Sequence, residues 1–297
     1  MDRAPIPSPT KTQHKVPYPA IDPTLPRLSQ SGRAVLVTGS SSGIGYFIAR
    51  AFAKAGAAAV VLTGRQETSL NDAADTLREQ YPNTKIIAKV LDIADSLEVE
   101  QLWKSLDEDN IVIHVLVLSA ARVQKPGPIL EVGRAEILAD FATNIGGNMV
   151  CTELFYHQSQ RNKDTKLALV NVSSKVTHFF DATDSIPNYA VTKSASTMMM
   201  QQIARLVKPD DLQVVSFDPG SVFTTAAKNA GFTEVDFAWD HPDLAGHFAV
   251  WAASEEAKFL HGRFVWARWD VDELSHGPAR RMINSDPNYL KVGVKGL

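Results

Sequence analysis

The chain has 297 residues, a net charge of −3, 44% hydrophobic residues and 21% charged residues. These fractions are ordinary for a globular protein, and they exclude a wholly disordered chain, a collagen and a coiled coil. The length fits one large α/β domain or two smaller domains. The weakly acidic balance provides no basic field for nucleic acid or an anionic membrane.

Cysteine content and hydropathy favour a soluble protein of the cytoplasm. Cys151 is the only cysteine, so neither an internal disulfide nor a cysteine-based zinc site can form. The longest apolar run, Ile111 to Ala121, is interrupted by His114 and is too short to span a bilayer. The start of the chain lacks the apolar core of a signal peptide.

Proline dominates the beginning of the chain, where the first 26 residues hold seven of the 16 prolines. Proline fixes φ and removes the amide donor, so this stretch cannot form a regular helix or an inner strand. We assign residues 1–31 to a proline-rich N-terminal extension. It is either an inert tail or an arm that packs, through Tyr18 and Ile21, on the domain or on a neighbouring subunit.

From Gly32 onward, short β-branched segments alternate with longer amphipathic ones, a pattern typical of βαβ units and a parallel sheet. No linker or repeat interrupts the pattern before Trp269. We predict a single α/β domain, residues 32–270, with a doubly wound (Rossmann-type) seven-stranded parallel sheet, followed by a polar C-terminal tail, residues 271–297. The predicted strands are 34–38, 59–63, 85–91, 111–118, 166–172, 212–217 and 262–269, and the predicted helices are 44–55, 67–81, 96–106, 141–160, 188–207 and 242–253.

A glycine-rich loop separates the first strand from the first helix. Its sequence, Thr38-Gly39-Ser40-Ser41-Ser42-Gly43-Ile44-Gly45, has the spacing G-x-x-x-G-x-G. The free amides and partial positive charge of a helix N-terminus favour a pyrophosphate at this point. The glycines permit a tight turn and a close approach of backbone and ligand. The loop predicts a nucleotide site, and the alternative is a purely structural turn.

The end of the second strand bears on the choice of cofactor. NAD-binding sites usually place an acidic residue there, whereas an arginine suits the 2′-phosphate of NADP. The sequence reads Thr63-Gly64-Arg65, with no carboxylate. A guanidinium pairs well with a phosphate, so we predict NADP(H), the alternative being that Arg65 simply faces solvent.

The residues that suggest chemistry follow in the second half of the chain. Tyr189 and Lys193 are four residues apart in a predicted helix, so their side chains share a face. A nearby cation lowers the pKa of a phenol, which can then exchange a proton with a carbonyl or an alcohol. Ser173 and Ser174 end a predicted strand, where parallel α/β sheets bind ligands. Asn144 lies inside a predicted helix, where asparagine is disfavoured.

Together these residues resemble the short-chain dehydrogenase/reductase family. The shared features, in the family's order, are the glycine-rich loop, Asp92-Ile93, Asn144, Ser174, Tyr189-x-x-x-Lys193 and Asp218-Pro219-Gly220 with Val222 and Thr224. The proline-rich start and the stretch from Gly262 to Asp270 are similar to members from filamentous fungi, often in natural-product pathways.

The resemblance implies a role for each residue. Tyr189 is the general acid/base, Lys193 lowers its pKa and binds the nicotinamide ribose, and Ser174 orients the substrate oxygen. Asn144 holds a water that links Lys193 to solvent. The further cofactor contacts that it implies are Gly39, Ser41, Ser42, Gly43, Ile44, Gly45 and Arg65, then Asp92 and Ile93 at the adenine, Ser119 and Ala120, and Pro219, Gly220, Val222 and Thr224 at the carboxamide.

The sequence departs from the family pattern at two places. Ser119-Ala120-Ala121 stands where the family usually has Asn-Ala-Gly, and Ser42 stands where many NADP-specific relatives have a basic residue. The prediction of NADP therefore depends mainly on Arg65.

The resemblance also implies a homodimer or homotetramer, assembled through the helices 141–160 and 188–207, and a lid within residues 220–240. Aromatic residues in that lid, Phe232, Phe237 and Trp239, indicate a hydrophobic or ring-bearing substrate. His178, Phe179 and Phe180 either line the substrate cleft or pack within their loop. His241 and His247 are poorly spaced for a metal pair, and we predict no metal.

The expected function is NADP(H)-dependent interconversion of a ketone and a secondary alcohol by a ketoreductase, in the direction of reduction, with a place in fungal natural-product biosynthesis. One alternative is an isomerase or epimerase that uses the same acid/base centre. The other is a non-catalytic NADP-binding sensor or scaffold. Relatives of that kind often lose the tyrosine or the lysine, and both are present here.

Overall fold

The computed structural model describes residues 8–179, 184–229, 232–236 and 238–293, with only the backbone at 226 and 229. Its seven strands form one parallel sheet in the order β3-β2-β1-β4-β5-β6-β7, which confirms the predicted doubly wound sheet. The strands are β1 (Ala34–Val37), β2 (Ala59–Gly64), β3 (Lys85–Val90), β4 (Ile113–Leu118), β5 (Leu167–Val172), β6 (Leu212–Asp218) and β7 (Arg263–Trp266). The strand order reverses between β1 and β4, where sheets of this kind bind ligands at their carboxyl ends.

Helices cover both faces of the sheet, and β1, β5, β6 and β7 are buried along their whole length, as expected for strands covered on both sides. Helix α1 packs with α9 on one face, and α3 packs with α6 on the other. The helices are α1 (Gly43–Lys54), α2 (Glu67–Gln80), α3 (Ser96–Glu108), α4 (Ile129–Val132), α5 (Arg134–Phe141), α6 (Asn148–Tyr156), α7 (Pro187–Leu206), α8 (Thr225–Asn229), α9 (Pro242–Ala252), α10 (Val271–His276) and α11 (Pro278–Ser285). Within the described ranges, no helix combines the length and apolar character that a membrane crossing requires.

The described part of the N-terminal extension packs on the domain as an arm. Ile21 and Leu28 are fully buried in the core. The Tyr18 hydroxyl donates to the Trp269 carbonyl at 2.9 Å, and Gln13 forms an antiparallel bridge with Trp269. The apolar residues between the prolines therefore hold this irregular segment in a defined position on the domain.

The helix predicted over 141–160 differs from the observed one. The chain becomes helical at Arg134, passes through a π-helical segment at Ala142–Gly147, and ends its last turn at Tyr156. Gly133, with φ of 95°, separates α4 from α5. A π-helical insertion shifts the helical register and often marks a functional site. Across such an insertion the apolar residues do not recur every 3.6 residues, so the sequence pattern does not reveal the helix bounds.

Two short helices occupy the segment assigned above to a C-terminal tail. The Asp270 side chain caps α10 by accepting from the Glu273 amide at 2.9 Å, and Pro278 opens α11. Leu274 and Ile283 are buried in the core. Both helix-start signals, Asp-x-x-Glu and a proline at the first turn, are present in the sequence, but the short helices lack a clear apolar period.

Candidate active site

The glycine-rich loop between β1 and α1 lies directly against the end of β4. Gly39 has φ of 65°, and a Cβ at this position would lie 2.7 Å from Ala120 Cα. The Thr38 hydroxyl accepts from the amides of Ser119, at 3.0 Å, and Ala120, at 3.1 Å. The contact needs glycine at 39 and leaves little space beside residue 120, which is the one position of the Asn-Ala-Gly pattern that this chain retains.

The beginning of α1 presents the groups that an anion needs. The N-cap residue, Ser42, makes no side-chain capping bond, so the first amides of the helix remain available. A Cβ on Gly45 would overlap the Gly39 carbonyl, and one on Gly43 would lie 3.4 Å from Thr224 Cγ2. Ser41 and Ile44 are half-buried beside these amides. The loop therefore approaches Thr224, at the far end of the predicted nicotinamide segment.

Arg65 stands next to this loop at the end of β2. Gly64 lies against Ser41, since a Cβ on Gly64 would be 3.0 Å from Ser41 Oγ. Arg65 follows directly and is exposed. In the described ranges no ion pair or hydrogen bond engages its guanidinium, so the group is available for an anion bound at the loop.

The segment after β3 is tied to the helix that carries Asn144. The Asp92 amide donates to Glu98 Oε2 at 2.7 Å, and Asp92 Oδ1 accepts from the Ala94 amide at 3.0 Å. Ile93 is buried, and Gly147 packs so closely on the Ile93 carbonyl that a Cβ would overlap it. The predicted adenine contacts are thus held by a backbone-to-backbone approach that only glycine allows.

Tyr189 and Lys193 project from the same face of α7. The Lys193 Nζ lies 5.7 Å from the centroid of the Tyr189 ring and donates to the Val172 carbonyl at 2.8 Å. No other acceptor for this ammonium occurs among the described residues, which leaves two of its three donors for a ligand. Burial lowers the pKa of Lys193 to about 8.

The Tyr189 phenol is less acidic than a free tyrosine. Burial raises the pKa of Tyr189 to about 12, the negative charge of Asp218 adds to this effect, and the nearby Ser174 hydroxyl opposes it. In the cofactor-free protein, burial outweighs the lowering of this pKa that is expected from Lys193. The phenol is therefore a proton donor at neutral pH.

The two serines after β5 have different surroundings. Ser173 is buried, and its hydroxyl is 2.6 Å from the Thr197 hydroxyl. Ser174 is half-buried, its hydroxyl accepts from the Val176 amide at 3.4 Å, and it is close enough to the phenol to lower the pKa of Tyr189. Ser174 is therefore the serine placed to meet a substrate oxygen beside the phenol.

Asn144 lies inside the π-helical segment, and its side-chain amide is engaged by protein. Its Nδ2 donates to the Arg122 carbonyl at 2.8 Å and to the Thr192 hydroxyl at 3.0 Å, while its Oδ1 accepts from the Arg122 amide at 2.8 Å. The amide joins the chain after β4 to α7. The water relay implied by the resemblance stays a prediction.

The loop after β6 is held by two aspartates, only one of which belongs to the sequence motif. Asp218 is buried and accepts from the Lys175 amide at 2.5 Å and the Gly220 amide at 2.9 Å. A Cβ on Gly220 would lie 2.5 Å from Asp240 Oδ2, and Arg268 binds the same oxygen. Sequence reasoning missed Asp240 and Arg268, since only the fold brings them to this loop.

The remaining predicted members of this loop lie near the glycine-rich loop or the aromatic residues. Val222 is buried and Thr224 is half-buried facing Gly43. Between them, the Phe223 ring centroid is 5.3 Å from that of Trp239, which is 6.3 Å from that of Phe232. Phe237 lies outside the described residues.

The other histidines and aromatic residues singled out in the sequence have structural contacts. The rings of His178 and Phe179 pack on Phe264 and Trp266 of β7, and Phe180 lies outside the described residues. His241 caps α9 by accepting from the Asp243 amide at 3.2 Å. Within the described part of the chain, no group of three or more His, Cys, Asp or Glu residues could hold a metal ion.

Taken together, the site fits a pyridine dinucleotide. Free helix amides and an unpaired guanidinium lie at one end, and a buried ammonium with two unused donors lies at the other. Between them, the loops after β1, β4 and β6 meet at the carboxyl end of the sheet, through a Gly39–Ala120 contact that leaves no room for a Cβ and through the approach of Gly43 to Thr224.

Known proteins are similar to this chain in sequence and in fold. The family model for short chain dehydrogenases matches residues 33–234. A short chain dehydrogenase/reductase from Claviceps purpurea is 34% identical over 97% of this chain and 95% of its own. The short chain dehydrogenase/reductase nsrO from Aspergillus novofumigatus is 30% identical over 97% of both chains.

Among solved structures, the NADP complex of RhlG from Pseudomonas aeruginosa superposes with a TM-score of 0.73 at 20% identity, over 82% of this chain and 97% of its own. L-sorbose reductase from Gluconobacter frateurii, complexed with NADPH and L-sorbose, superposes with a TM-score of 0.69 at 23% identity, over 81% and 96%. These likenesses show the same fold. With the family match and the fungal relatives, they establish that the chain belongs to the short-chain dehydrogenase/reductase family of oxidoreductases.

Proposed function

We propose that the protein is an NADP(H)-dependent reductase that converts a ketone into a secondary alcohol. The observation that carries the proposal is the meeting of a protonated phenol, Tyr189, with the Ser174 hydroxyl and the buried Lys193 ammonium. These groups lie at the carboxyl end of β5, on the side of the sheet that carries the glycine-rich loop.

The choice of NADP(H) over NAD(H) is supported by Arg65. Its guanidinium is exposed and has no ion pair or hydrogen bond to any residue that the structure describes, and Gly64 beside it lies against the loop residue Ser41. A 2′-phosphate at this place would gain a charge-assisted hydrogen bond. The Thr63-Gly64-Arg65 segment also lacks the carboxylate that would bind a 2′-hydroxyl and repel a phosphate.

The proposed mechanism assigns one task to each side chain. NADPH, when bound, supplies the hydride. Ser174 donates a hydrogen bond to the substrate carbonyl oxygen and orients it toward Tyr189. Tyr189 gives its phenolic proton to that oxygen as the carbonyl carbon is reduced. The Lys193 ammonium stabilises the resulting phenolate, and its two unused donors would hold the ribose hydroxyls of the bound cofactor.

The proposed substrate is apolar or carries a ring. The rings of Phe223, Trp239 and Phe232 form a chain of contacts that begins within the predicted nicotinamide segment. Aromatic faces favour stacking with flat, apolar molecules. A place in fungal natural-product biosynthesis is part of the same proposal, supported by the similarity to fungal relatives over nearly the whole chain.

The test is to incubate the purified protein with NADPH and a panel of aliphatic, monocyclic and polycyclic ketones, following both absorbance at 340 nm and product identity. We expect stoichiometric NADPH oxidation and alcohol formation, greatest with ring-bearing ketones. Product formation without net NADPH oxidation would instead indicate an isomerase or epimerase. NADPH binding with no turnover of any ketone would contradict the proposal and favour a sensor.

A further inference from the structure

A polar cluster outside the predicted catalytic residues surrounds the first turn of α7. Its centre is Asp140, whose side chain is completely buried. One oxygen of this carboxylate pairs with the Arg122 guanidinium, and the other accepts from Asn188 Nδ2 at 2.8 Å. Arg122 also pairs with Glu136 at 2.6 Å. A buried carboxylate is tolerated only when it is paired and hydrogen-bonded, and both oxygens of Asp140 meet this requirement.

The cluster replaces the local cap that α7 lacks. The residue before the helix, Ile186, makes no side-chain capping bond. Instead, Gln124 Oε1 accepts from the Asn188 amide at 2.7 Å, and Gln124 Nε2 donates to the Gly127 carbonyl at 3.0 Å. An uncapped helix start frays easily, so the segment after β4 anchors the first turn of α7 at Asn188, the residue before Tyr189.

The same cluster also reaches the far side of Tyr189. Asn144 holds the backbone of Arg122 through two hydrogen bonds and donates a third to the Thr192 hydroxyl. That hydroxyl in turn donates to the Tyr189 carbonyl at 3.2 Å. Arg122 therefore connects a support at Asn188, before the tyrosine, with a support at Thr192, after it.

We propose that Arg122 and Asp140 are positioning residues for Tyr189, which hold the first turn of α7 so that the phenol stays at the substrate oxygen. The inference rests on the proposed function, because that function gives the phenol its role. Neither side chain needs to touch the reacting groups. A catalytic group displaced by about 1 Å costs on the order of 100-fold in rate, so a loosened turn lowers kcat. Cofactor affinity changes far less, because most of the predicted cofactor contacts lie outside α7.

The first experiment compares two isosteric substitutions that remove one carboxylate each. Asp140→Asn leaves a single acceptor oxygen for two donors, and we expect kcat for ketone reduction to fall on the order of 10- to 100-fold, with a much smaller change in Kd for NADPH. The matched control is Asp211→Asn. Asp211 pairs with Arg161 and accepts from the Tyr156 hydroxyl, but it lies at the amino end of β6, on the opposite edge of the sheet. We expect wild-type kcat from this variant.

Two further measurements separate positioning from a general effect on folding. Hydrogen exchange of the cofactor-free protein is expected to quicken at residues 187–193 in Asp140→Asn and not in Asp211→Asn. In a Tyr189→Phe background, adding Asp140→Asn is expected to cause no further loss of kcat, because the group that it positions is already absent. Asn188→Ala, which removes only the amide donor to Asp140, serves if Asp140→Asn fails to fold.

Unchanged kcat and unchanged exchange in Asp140→Asn would overturn the inference, and so would an equal loss of kcat with and without the Tyr189 hydroxyl. These results differ from a failure of the proposed function. In that case the wild-type protein would itself turn over no ketone, or Tyr189→Phe would reduce ketones at the wild-type rate, while the exchange measurement would still report on the anchoring of α7.

Discussion

Lys193 places its ammonium 5.7 Å from the centroid of the Tyr189 ring while donating to the carbonyl of Val172, at the end of β5. The lysine is therefore anchored to the sheet, and the pKa of the tyrosine is governed by its own burial. With the phenol protonated and the pKa of the ammonium near 8, the cofactor-free protein is prepared to donate a proton to a carbonyl oxygen.

Burial of the Lys193 ammonium is expected to lower the free energy of unfolding of the native protein. Because the pKa of Lys193 is lowered from 10.5 to about 8, the unfolded chain holds this proton more tightly than the native protein. The penalty is therefore complete below pH 8, shrinks as the pH rises from 8 to 10.5, and is absent above that window. Lys193→Met should raise the free energy of unfolding of the cofactor-free protein at pH 7 by on the order of 1–3 kcal/mol.

Urea unfolding of both proteins at pH 7 and at pH 11 measures this difference. We expect the gain in unfolding free energy of Lys193→Met at pH 7 to disappear at pH 11, where lysine is largely neutral in both the native and the unfolded chain. A variant that is less stable than wild type at pH 7 would show that the ammonium is not penalised by burial.

Cofactor preference is expected to depend on Arg65. Arg65→Asp replaces a group that pairs with a 2′-phosphate by one that repels it, so Kd for NADPH should rise on the order of 10- to 100-fold while Kd for NADH falls or stays constant. The control, Arg205→Asp, makes the same charge change in the last turn of α7, far from the loop. Fluorescence titration with both nucleotides gives the ratio of Kd for NADPH to Kd for NADH. If Arg65→Asp left this ratio unaltered, Arg65 would not belong to the cofactor site.

Gly39 is expected to be essential for closing the loop on β4. Gly39→Ala meets two obstacles, a φ of 65° and a contact with Ala120 Cα. Gly56→Ala is the matched control, because Gly56 has φ of 78° but open space around it. Both changes cost about 1–2 kcal/mol of backbone strain, but only Gly39→Ala should also weaken NADPH binding. Equal Kd values for the two variants would mean that the Ala120 contact is unimportant.

Assembly into a homodimer or homotetramer is expected to use α6 and α7, which lie within the predicted helices 141–160 and 188–207 apart from the first residue of α7. Met149 and Val191 on these helices are 41% and 44% exposed, which is typical of an apolar contact surface. Met149→Glu should shift the molar mass measured by light scattering toward the monomer. Leu97→Glu, at the start of α3 where the leucine is 63% exposed, should not. A monomeric wild-type protein would disprove the assembly outright.

Sequence reasoning reached those features that depend on local pattern. The strands were predictable because burial on both faces produces continuous apolar runs such as Val115–Leu118. Arg65 could be placed because it directly follows a strand, and Lys193 because it is four residues after Tyr189 in a helix. The Arg122–Asp140–Asn188 cluster could not be found in this way. Its members are as much as 66 residues apart (122 to 188), and only the sheet order brings them together.

Other predictions from the sequence were wrong because the deciding effects come from the fold and not from residues nearby in the sequence. A phenol beside an ammonium is expected to be acidic, but burial and Asp218 outweigh that charge at Tyr189. The π-helical turn around Asn144 interrupts the apolar period on which helix prediction depends. The importance of Asp240 to the loop after β6 likewise comes from a contact with Gly220 made across the fold.

Rapid-mixing measurement of ketone reduction by Tyr189→Phe is the most direct test that this phenol is the proton donor. The control is Tyr156→Phe, which also loses one hydroxyl but at a site where that group donates to Asp211 at 2.7 Å. The account predicts a loss on the order of 10²–10⁴-fold in kcat for Tyr189→Phe, an unchanged Kd for NADPH, and wild-type kcat for Tyr156→Phe. Wild-type kcat in Tyr189→Phe would contradict it.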